Sequence, residues 1–564
     1  PSEPRSAAWR ASLALCFTGV LALLTAPAWF LPARVIGHAE SDVWKHLWGD
    51  AWMRGAIGSQ WPVPLETDLI WFPDGGLLYN LDPLTGYASC LLAPLLGLVN
   101  AHNLAQGLAL VGGALAAYLL ARRLTADPAA SAVAGAIYGF SAHIQGAVLA
   151  SGIGETAHIA WIPLSILLLL ELLERGGWLR ALLLGLSLWL CALASWYYGL
   201  VAGLSCSAVL GAWLALRLLR RSESSASVLV PLAWTAGAVA LAGALTLPFA
   251  LAFISSLDPS QALHGSQGEA VPMDELLASN SWAVATLADF LRPGHRVQTT
   301  VDRLFFCNHI GFVPGALAVF ALISAQRRAG RIALGGLAAA LVCLGPVIHL
   351  DRATPLMPNP LFQALLKVWP GFDLVRNLER AQVALTLCVA LLAALGLAAL
   401  LDAFEQRGLR RRWLGLGLAV LVALEANLIS GLGLSLPTAS TAVDSVHQLL
   451  VDDPDSYAIL ELPLHDGPGG EPYWHQALHG HPLPMNLDNS PAPSLRDNAL
   501  LSALLPDMAF SRYFAALRLQ DPSPEELEAG RRGLIQLGYR YAVLSEGRVT
   551  ERHHARVQAV LEAV

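Results

Sequence analysis

Two carboxylates, Glu40 and Asp42, stand two residues apart in the run Gly37-His38-Ala39-Glu40-Ser41-Asp42. A carboxylate of this kind can act as general base toward an acceptor hydroxyl, or hold a divalent cation such as Mg2+ or Mn2+ through oxygen ligands. Acidic residues are also common in solvated loops, so these six residues alone leave that reading open. Two groups of basic residues have complementary chemistry: Arg292 and Arg296 with His295, and Arg376 with Arg380. A guanidinium suits a phosphate because it donates two parallel hydrogen bonds, whereas an interfacial arginine otherwise anchors to lipid headgroups. Glu155 and His158 share a short polar stretch that either touches an acceptor or completes a satisfied turn. Glu425, with Asn427 nearby, lies inside an apolar run and needs a partner or a proton. His465, His475, His479 and His481 are numerous enough to suggest a metal, but their spacing fits no standard ligand pattern and no cysteine accompanies them.

The elements that position these groups are set by hydropathy. Of 564 residues, 55% are hydrophobic and 14% charged, and the mean hydropathy is +0.52, whereas a soluble domain carries about 25% charged residues. The chain therefore reads as a polytopic α-helical membrane protein. A crossing helix needs about 20 apolar residues, and eleven segments qualify: 9–31, 102–121, 129–147, 156–174, 178–197, 199–219, 228–256, 309–326, 332–350, 378–401 and 413–435. The first ends in Pro27, Trp29 and Phe30 without a cleavage-type small-residue motif, so it reads as an uncleaved span. Arginine clusters precede the first span and follow the second, fourth, sixth, eighth and tenth. By the positive-inside rule this parity puts the N-terminus in the cytoplasm, across the inner membrane from residues 436–564. Three long outer loops result, 32–101, 257–308 and 350–377, each long enough to be structured or functional. Val43 to Ile57, rich in tryptophan, predicts a helix lying in the membrane interface; Leu84 to Val99 and Pro360 to Trp369 predict further juxtamembrane helices. Ser195-Trp196-Tyr197-Tyr198 reads as an interfacial aromatic anchor. The net charge of −7 supplies no basic field for nucleic acid.

The pattern changes after Pro437. Asp444 to Val451 and Glu525 to Leu537 read as helices, Tyr457 to Leu462 and Tyr539 to Leu544 as strands, and His465 to Pro493 as an ordered loop. The expected organisation is thus a transmembrane domain over 1–435 and a small extracytoplasmic α/β domain over 436–564.

Several motifs, taken together, resemble a known group. They are Asp42-Val43-Trp44-Lys45-His46-Leu47-Trp48, Trp71-Phe72-Pro73-Asp74-Gly75, Asp82-Pro83-Leu84 and Asn103, with Ala134 to Ser141, His158 to Leu164, and Pro370-Gly371-Phe372 before Arg376 and Arg380. This combination resembles the bacterial GT-C glycosyltransferase superfamily, in particular its YfhO-like branch, across most of residues 38–400 and less so beyond. The resemblance implies a GT-C-like bundle that transfers a sugar from a polyprenyl-phosphate carrier to an acceptor on the outer face, with inversion. It implies Asp42 as base, Glu40 as its helper or as a second ligand to a cation, and the arginines as phosphate partners. The adjacent acidic pair of some members is missing, which leaves the metal requirement open. Two other readings stand beside it: a non-catalytic assembly subunit of a larger membrane complex, and a lipid or solute transporter.

Overall fold

A bilayer offers no water to backbone N–H and C=O groups, so apolar segments must pair those groups internally as helices. The computed structural model describes residues 3–60, 65–77, 82–219, 226–256, 284–296, 305–324, 327–369, 372, 375, 377–404, 408–462, 470–487, 491–504, 522–545 and 551–562. In chain order the helices of its first part are α1 (Glu3–Leu24), α2 (Val43–Ala56), α3 (Pro83–Leu96), α4 (Leu98–Thr125) and α5 (Pro128–Gly139), the last prolonged by a π-helical turn, Ile144–Ala150. Then come α6 (Trp161–Arg175), α7 (Trp178–Ala194), α8 (Trp196–Leu219), α9 (Ala226–Ser256), α10 (Phe312–Ile323), α11 (Arg327–Cys343), α12 (Pro360–Val368), α13 (Gln382–Ala403) and α14 (Gly408–Ile429). Each expected span has a helix; among the described residues seven helical segments are long and apolar enough to cross a membrane, and of the four shorter apolar helices three, Ala8–Leu24, Trp178–Ala194 and Phe312–Ile323, fall on expected spans while Pro83–Leu96 is the expected juxtamembrane helix.

The boundaries move where glycine and proline intervene. The expected span 332–350 is helical only to Cys343, because Gly345 adopts φ +67° before Pro346, and residues Val347–Asp351 instead form a hairpin with Thr354–Pro358. Small residues let the central helices touch: a Cβ on Gly139 of α5 would lie 2.6 Å from the Cβ of Ala114 on α4. Glu425 finds its partner at a helix start, accepting the N–H groups of Phe312 and Val313 at 2.7 and 3.0 Å, and Asn427 donates to Gln145 at 2.9 Å.

The arginine-bearing connections converge on one end of the bundle. Arg123 at the end of α4 pairs with Glu174 and lies 3.5 Å from Glu171 near the end of α6. Arg411 at the start of α14 pairs with Asp127 just before α5 and with Asp402 of α13 at 2.7 Å. Arg328 at the start of α11 donates to the Leu124 carbonyl at 2.9 Å.

At the opposite end, residues beyond the bundle are stitched to the first long loop. They form α15 (Ser445–Asp452), the strand Ala458–Leu462, α16 (Glu471–His479), α17 (Pro524–Gln536), the strand Tyr539–Leu544 and α18 (Glu551–Glu562), with the two strands parallel. The stretch His465 to Pro493, expected as a loop, contains α16: Pro472 sits in its first turn and Gly480 closes it at φ +76°. Residues 463–469, including His465, lie outside the described residues.

The helix expected in the membrane interface, α2, is instead a buried helix. Trp44, Leu47, Trp48 and Met53 are each at most 1% exposed. They pack against α16 and the Ala458–Leu462 strand, and the Trp48 indole donates to Gln476 of α16. Tryptophan and leucine cover a protein partner as readily as they do lipid. Arg34–Ile36 pairs antiparallel with Thr438–Ser440, and Asn103 of α4 pins that strand through Ile36 N–H at 2.9 Å and Arg34 C=O at 2.8 Å.

The loop before α2 lies on the π-helical turn, with His38 N–H bonded to Ala150 C=O at 3.0 Å and Asp42 N–H to Ser151 C=O at 3.3 Å. Gly152 has φ +67°, and a Cβ there would lie 2.3 Å from Val43 N. Gly152→Ala should therefore lower the thermal midpoint of the detergent-purified protein, since left-handed backbone alone costs about 1–2 kcal/mol in a residue with a side chain. Gly203→Ala in α8, with nothing within 4 Å of the new methyl, should not lower it; equal midpoints for the two variants would contradict this packing.

Candidate functional site

Asp42 immediately precedes α2, so residues three and four positions later stand on its side of the helix. Lys45 Nζ lies 2.9 Å from Asp42 Oδ1, and both side chains are largely shielded. His46, on the same face, puts Nε2 3.0 Å from Glu155 Oε2. The other Glu155 oxygen lies 3.0 Å from Arg380 Nη2. One carboxylate from the turn before α6 thereby joins the first long loop to the short 3-10 turn Leu378–Ala381 before α13.

Aromatic groups fix this turn. The Arg380 guanidinium lies over the Tyr197 ring at 4.5 Å, and buried Tyr198 donates to the Thr156 carbonyl. These two tyrosines, expected as membrane anchors, serve the cluster; Trp196 alone of the three is exposed.

Asp82 supplies a second acid, as the N-cap of α3, accepting from Thr85 N–H at 3.1 Å and from its hydroxyl. His158 Nε2 lies 2.8 Å from Thr85 Oγ1 and 3.5 Å from Asp82, and Gln106 donates to the same hydroxyl at 3.2 Å. Deeper still, Asp50 accepts from Ser89 at 2.6 Å and meets His102 at 2.8 Å. Burial would raise the Asp82 carboxyl, but the charge and hydrogen bond of His158, together with Thr85, hold it below the usual range. Burial would lower His46, and the Glu155 hydrogen bond and charge more than offset it, so its imidazole is raised above the ordinary value.

The structure thus brings together Asp42, Glu155, His158 and Arg380, and adds Lys45, His46 and Asp82. Glu40 is exposed, its carboxylate 3.9 Å from His38 Nδ1. Arg292 and His295 are exposed, His295 lying against Phe306 with ring centroids 6.1 Å apart. The Arg296 side chain and Arg376 lie outside the described residues. With Lys45 on Asp42 and Glu40 turned to His38, no third cation ligand joins these two carboxylates among the described residues. A cleft of about 320 Å³ borders this region through Phe305, whose ring meets His38 edge-on at 5.9 Å. Its lining, Pro27, Phe305, residues 431–432 and residues 435–438, does not include Asp42 or Arg380.

The fold is that of a GT-C-like membrane protein: an apolar helical bundle whose long connections and α/β domain close over a charged cluster at one end. No family model matches the chain, and no curated protein matches it in sequence. Among solved structures, the oligosaccharyltransferase of Archaeoglobus fulgidus in complex with Zn and sulfate is similar at 13% identity and TM-score 0.51, over 97% of this chain and 69% of that one. The mycobacterial arabinofuranosyltransferase AftD aligns at 14% identity and TM-score 0.45, over 84% of this chain and 32% of its own. ArnT from Cupriavidus metallidurans bound to undecaprenyl phosphate aligns at 12% identity and TM-score 0.37, over 86% of each chain. The first establishes the fold; the other two, at lower scores, carry no part of the argument below.

Proposed function

We propose that the chain is a membrane glycosyltransferase that moves a sugar from a polyprenyl-phosphate carrier to an acceptor hydroxyl on the extracytoplasmic side of the inner membrane. The observation that carries this reading is Glu155, which holds at 3.0 Å each both Arg380 and His46, the latter one helical turn after Asp42. A candidate base and a candidate phosphate partner, more than 300 residues apart in sequence, are thereby linked within one cluster. The shared fold with an oligosaccharyltransferase supports it.

In this reading the acceptor oxygen attacks the anomeric carbon, the bond from that carbon to the phosphate oxygen breaks, and Asp42 takes the acceptor proton. The phosphate leaves as an anion and needs no proton, only stabilising charge. Arg380 provides it, with Arg376 as a second candidate four residues earlier. Glu155 and His46 are positioning residues, and Lys45 guards the Asp42 carboxylate until the acceptor displaces it. A divalent cation at Glu40 and Asp42 would need ligands from the substrate itself, as hard cations often do when phosphate is present. Arg292, His295 and Arg296 fit better as contacts for lipid headgroups.

The sidedness follows from the arginine-bearing end facing the cytoplasm. A reporter active only outside the cytoplasm and fused after Val564 should be active, and the same reporter fused after Arg221 silent. The opposite pattern, or equal activity, would place the cluster on the wrong side for an externally exposed acceptor and remove this function.

A further inference from the structure

The histidines singled out in the sequence converge in the C-terminal domain around one carboxylate. His447 of α15, Glu461 of the Ala458–Leu462 strand and His475 of α16 each present a ligand atom, all within 4.8 Å of one another and all buried. We propose that these three residues form a site for a divalent transition-metal ion, Zn2+ by donor type, leaving a fourth position for water. Nothing in the proposed transferase reaction uses this site, and the inference stands apart from it.

Proton positions identify the ligands. Asp444 Oδ1 lies 2.7 Å from His447 Nδ1, and a carboxylate only accepts, so Nδ1 carries the hydrogen and Nε2 presents a lone pair. That lone pair faces Glu461 Oε1 at 3.3 Å. Both atoms are buried without a hydrogen-bond partner. Two acceptors facing each other repel unless a cation or a proton lies between them. His475 approaches the other oxygen: Nδ1 and Glu461 Oε2 are hydrogen-bonded at 3.5 Å, a contact the ion would replace, while Nε2 lies 3.9 Å from Glu471, one turn earlier on the helix. The carboxylate of Asp444 behind His447 is the usual support of a metal-bound histidine, since it fixes the tautomer and raises basicity.

His479 is excluded by the same reasoning. Its Nδ1 accepts from His481 N–H at 3.0 Å, so its hydrogen is on Nε2, which points at Glu461 Oε1 from 3.6 Å. It supports the carboxylate from behind. The two imidazole nitrogens approach different oxygens of Glu461, Oε1 at 3.3 Å and Oε2 at 3.5 Å, so one carboxylate lies within ligand spacing of both. Two imidazoles and one carboxylate form a borderline donor set that suits zinc better than magnesium or calcium.

The metal would clip α15 and α16 to the strand between them, and α16 is the helix that covers Trp48 of α2. The test uses the full-length chain, purified in detergent through an affinity tag that contains no histidine. Elemental analysis should find about one zinc per chain, and cobalt exchanged into the chelated protein should give the visible absorption of a tetrahedral site. Asp444→Asn should weaken zinc binding by about 10–100-fold while leaving the fold intact. Glu461→Gln should abolish the cobalt spectrum, and His479→Gln should retain it. A protein that binds neither zinc nor cobalt at micromolar concentrations would overturn the proposal in favour of a proton shared by His447 and Glu461. Retention of the spectrum in Glu461→Gln would equally overturn the assigned ligand set.

Discussion

Asp42→Asn should reduce sugar transfer by about 10²–10⁴-fold, the usual contribution of a general base, in protein that still inserts and keeps its thermal midpoint. The asparagine amide occupies nearly the same volume and can hydrogen-bond, but cannot take the acceptor proton. Lys45 sharpens the expectation, because its ammonium at 2.9 Å needs an anion and loses it in the variant. Lys45→Met then serves as the control: if the defect in Asp42→Asn arises only from the orphaned lysine, the double variant recovers activity, and the role of Asp42 as base is lost. Glu40→Gln should cost far less, since Glu40 faces solvent and His38. Transfer is read with purified enzyme in lipid nanodiscs and a short-chain polyprenyl-phosphate sugar. Full activity in Asp42→Asn would remove Asp42 as the base, whereas no transfer by the unsubstituted protein would leave the assembly-subunit reading as the better account.

Arg380→Ala should weaken binding of polyprenyl phosphate by about 10–150-fold, corresponding to about 1.5–3 kcal/mol for a charge-assisted hydrogen bond. The substitution has a second consequence to separate out. Glu155 would keep His46 but lose the guanidinium, and breaking a buried pair on one side destabilises by about 3–5 kcal/mol. Pairing the change with Glu155→Gln removes the orphaned charge, so the double variant should recover much of the thermal stability and none of the carrier affinity. Arg380→Lys should recover only part of the affinity, because an ammonium lacks the planar fork and stacks less well on Tyr197. Carrier affinity unchanged in both variants would reduce Arg380 to a structural pin between the α6 turn and α13.

The bundle was legible in the sequence because the requirement for apolar length acts locally: twenty residues either suffice to cross or do not. The role of α2 was not legible. Trp44, Trp48 and Trp52 have the composition of an interfacial helix, and their actual cover, α16, lies more than 400 residues away. Helix α16 was itself concealed by Pro472, Gly480 and the histidines around it, which read as loop chemistry. Within the site, Asp42, Glu155, His158 and Arg380 were recognised singly, but nothing local joins Glu155 to Arg380. His46 was missed although it stands one turn after Asp42, a helical spacing that signals a shared face. Asp82 stands in a family-like motif, and Asp82-Pro83-Leu84-Thr85 is also an N-cap followed by proline, which announces a helix start and an acid fixed upon it. The metal cluster needed three elements to meet, and the decisive member, Glu461, reads in sequence as an ordinary strand residue.

The pairing of Arg34–Ile36 with Thr438–Ser440, and of α2 with α16, has a consequence for biogenesis. A ribosome that has made the first long loop must add some four hundred residues before the strand and helix that complete it exist. Until then, Trp44 and Trp48 have no protein cover, and the unpaired edge at Arg34–Ile36 is open to other chains. The end that holds the charged cluster is therefore among the last parts of the molecule to mature, after the spans are inserted. Nascent chains released before α16 should be recognised by membrane quality control as incomplete, however well their helices cross the bilayer.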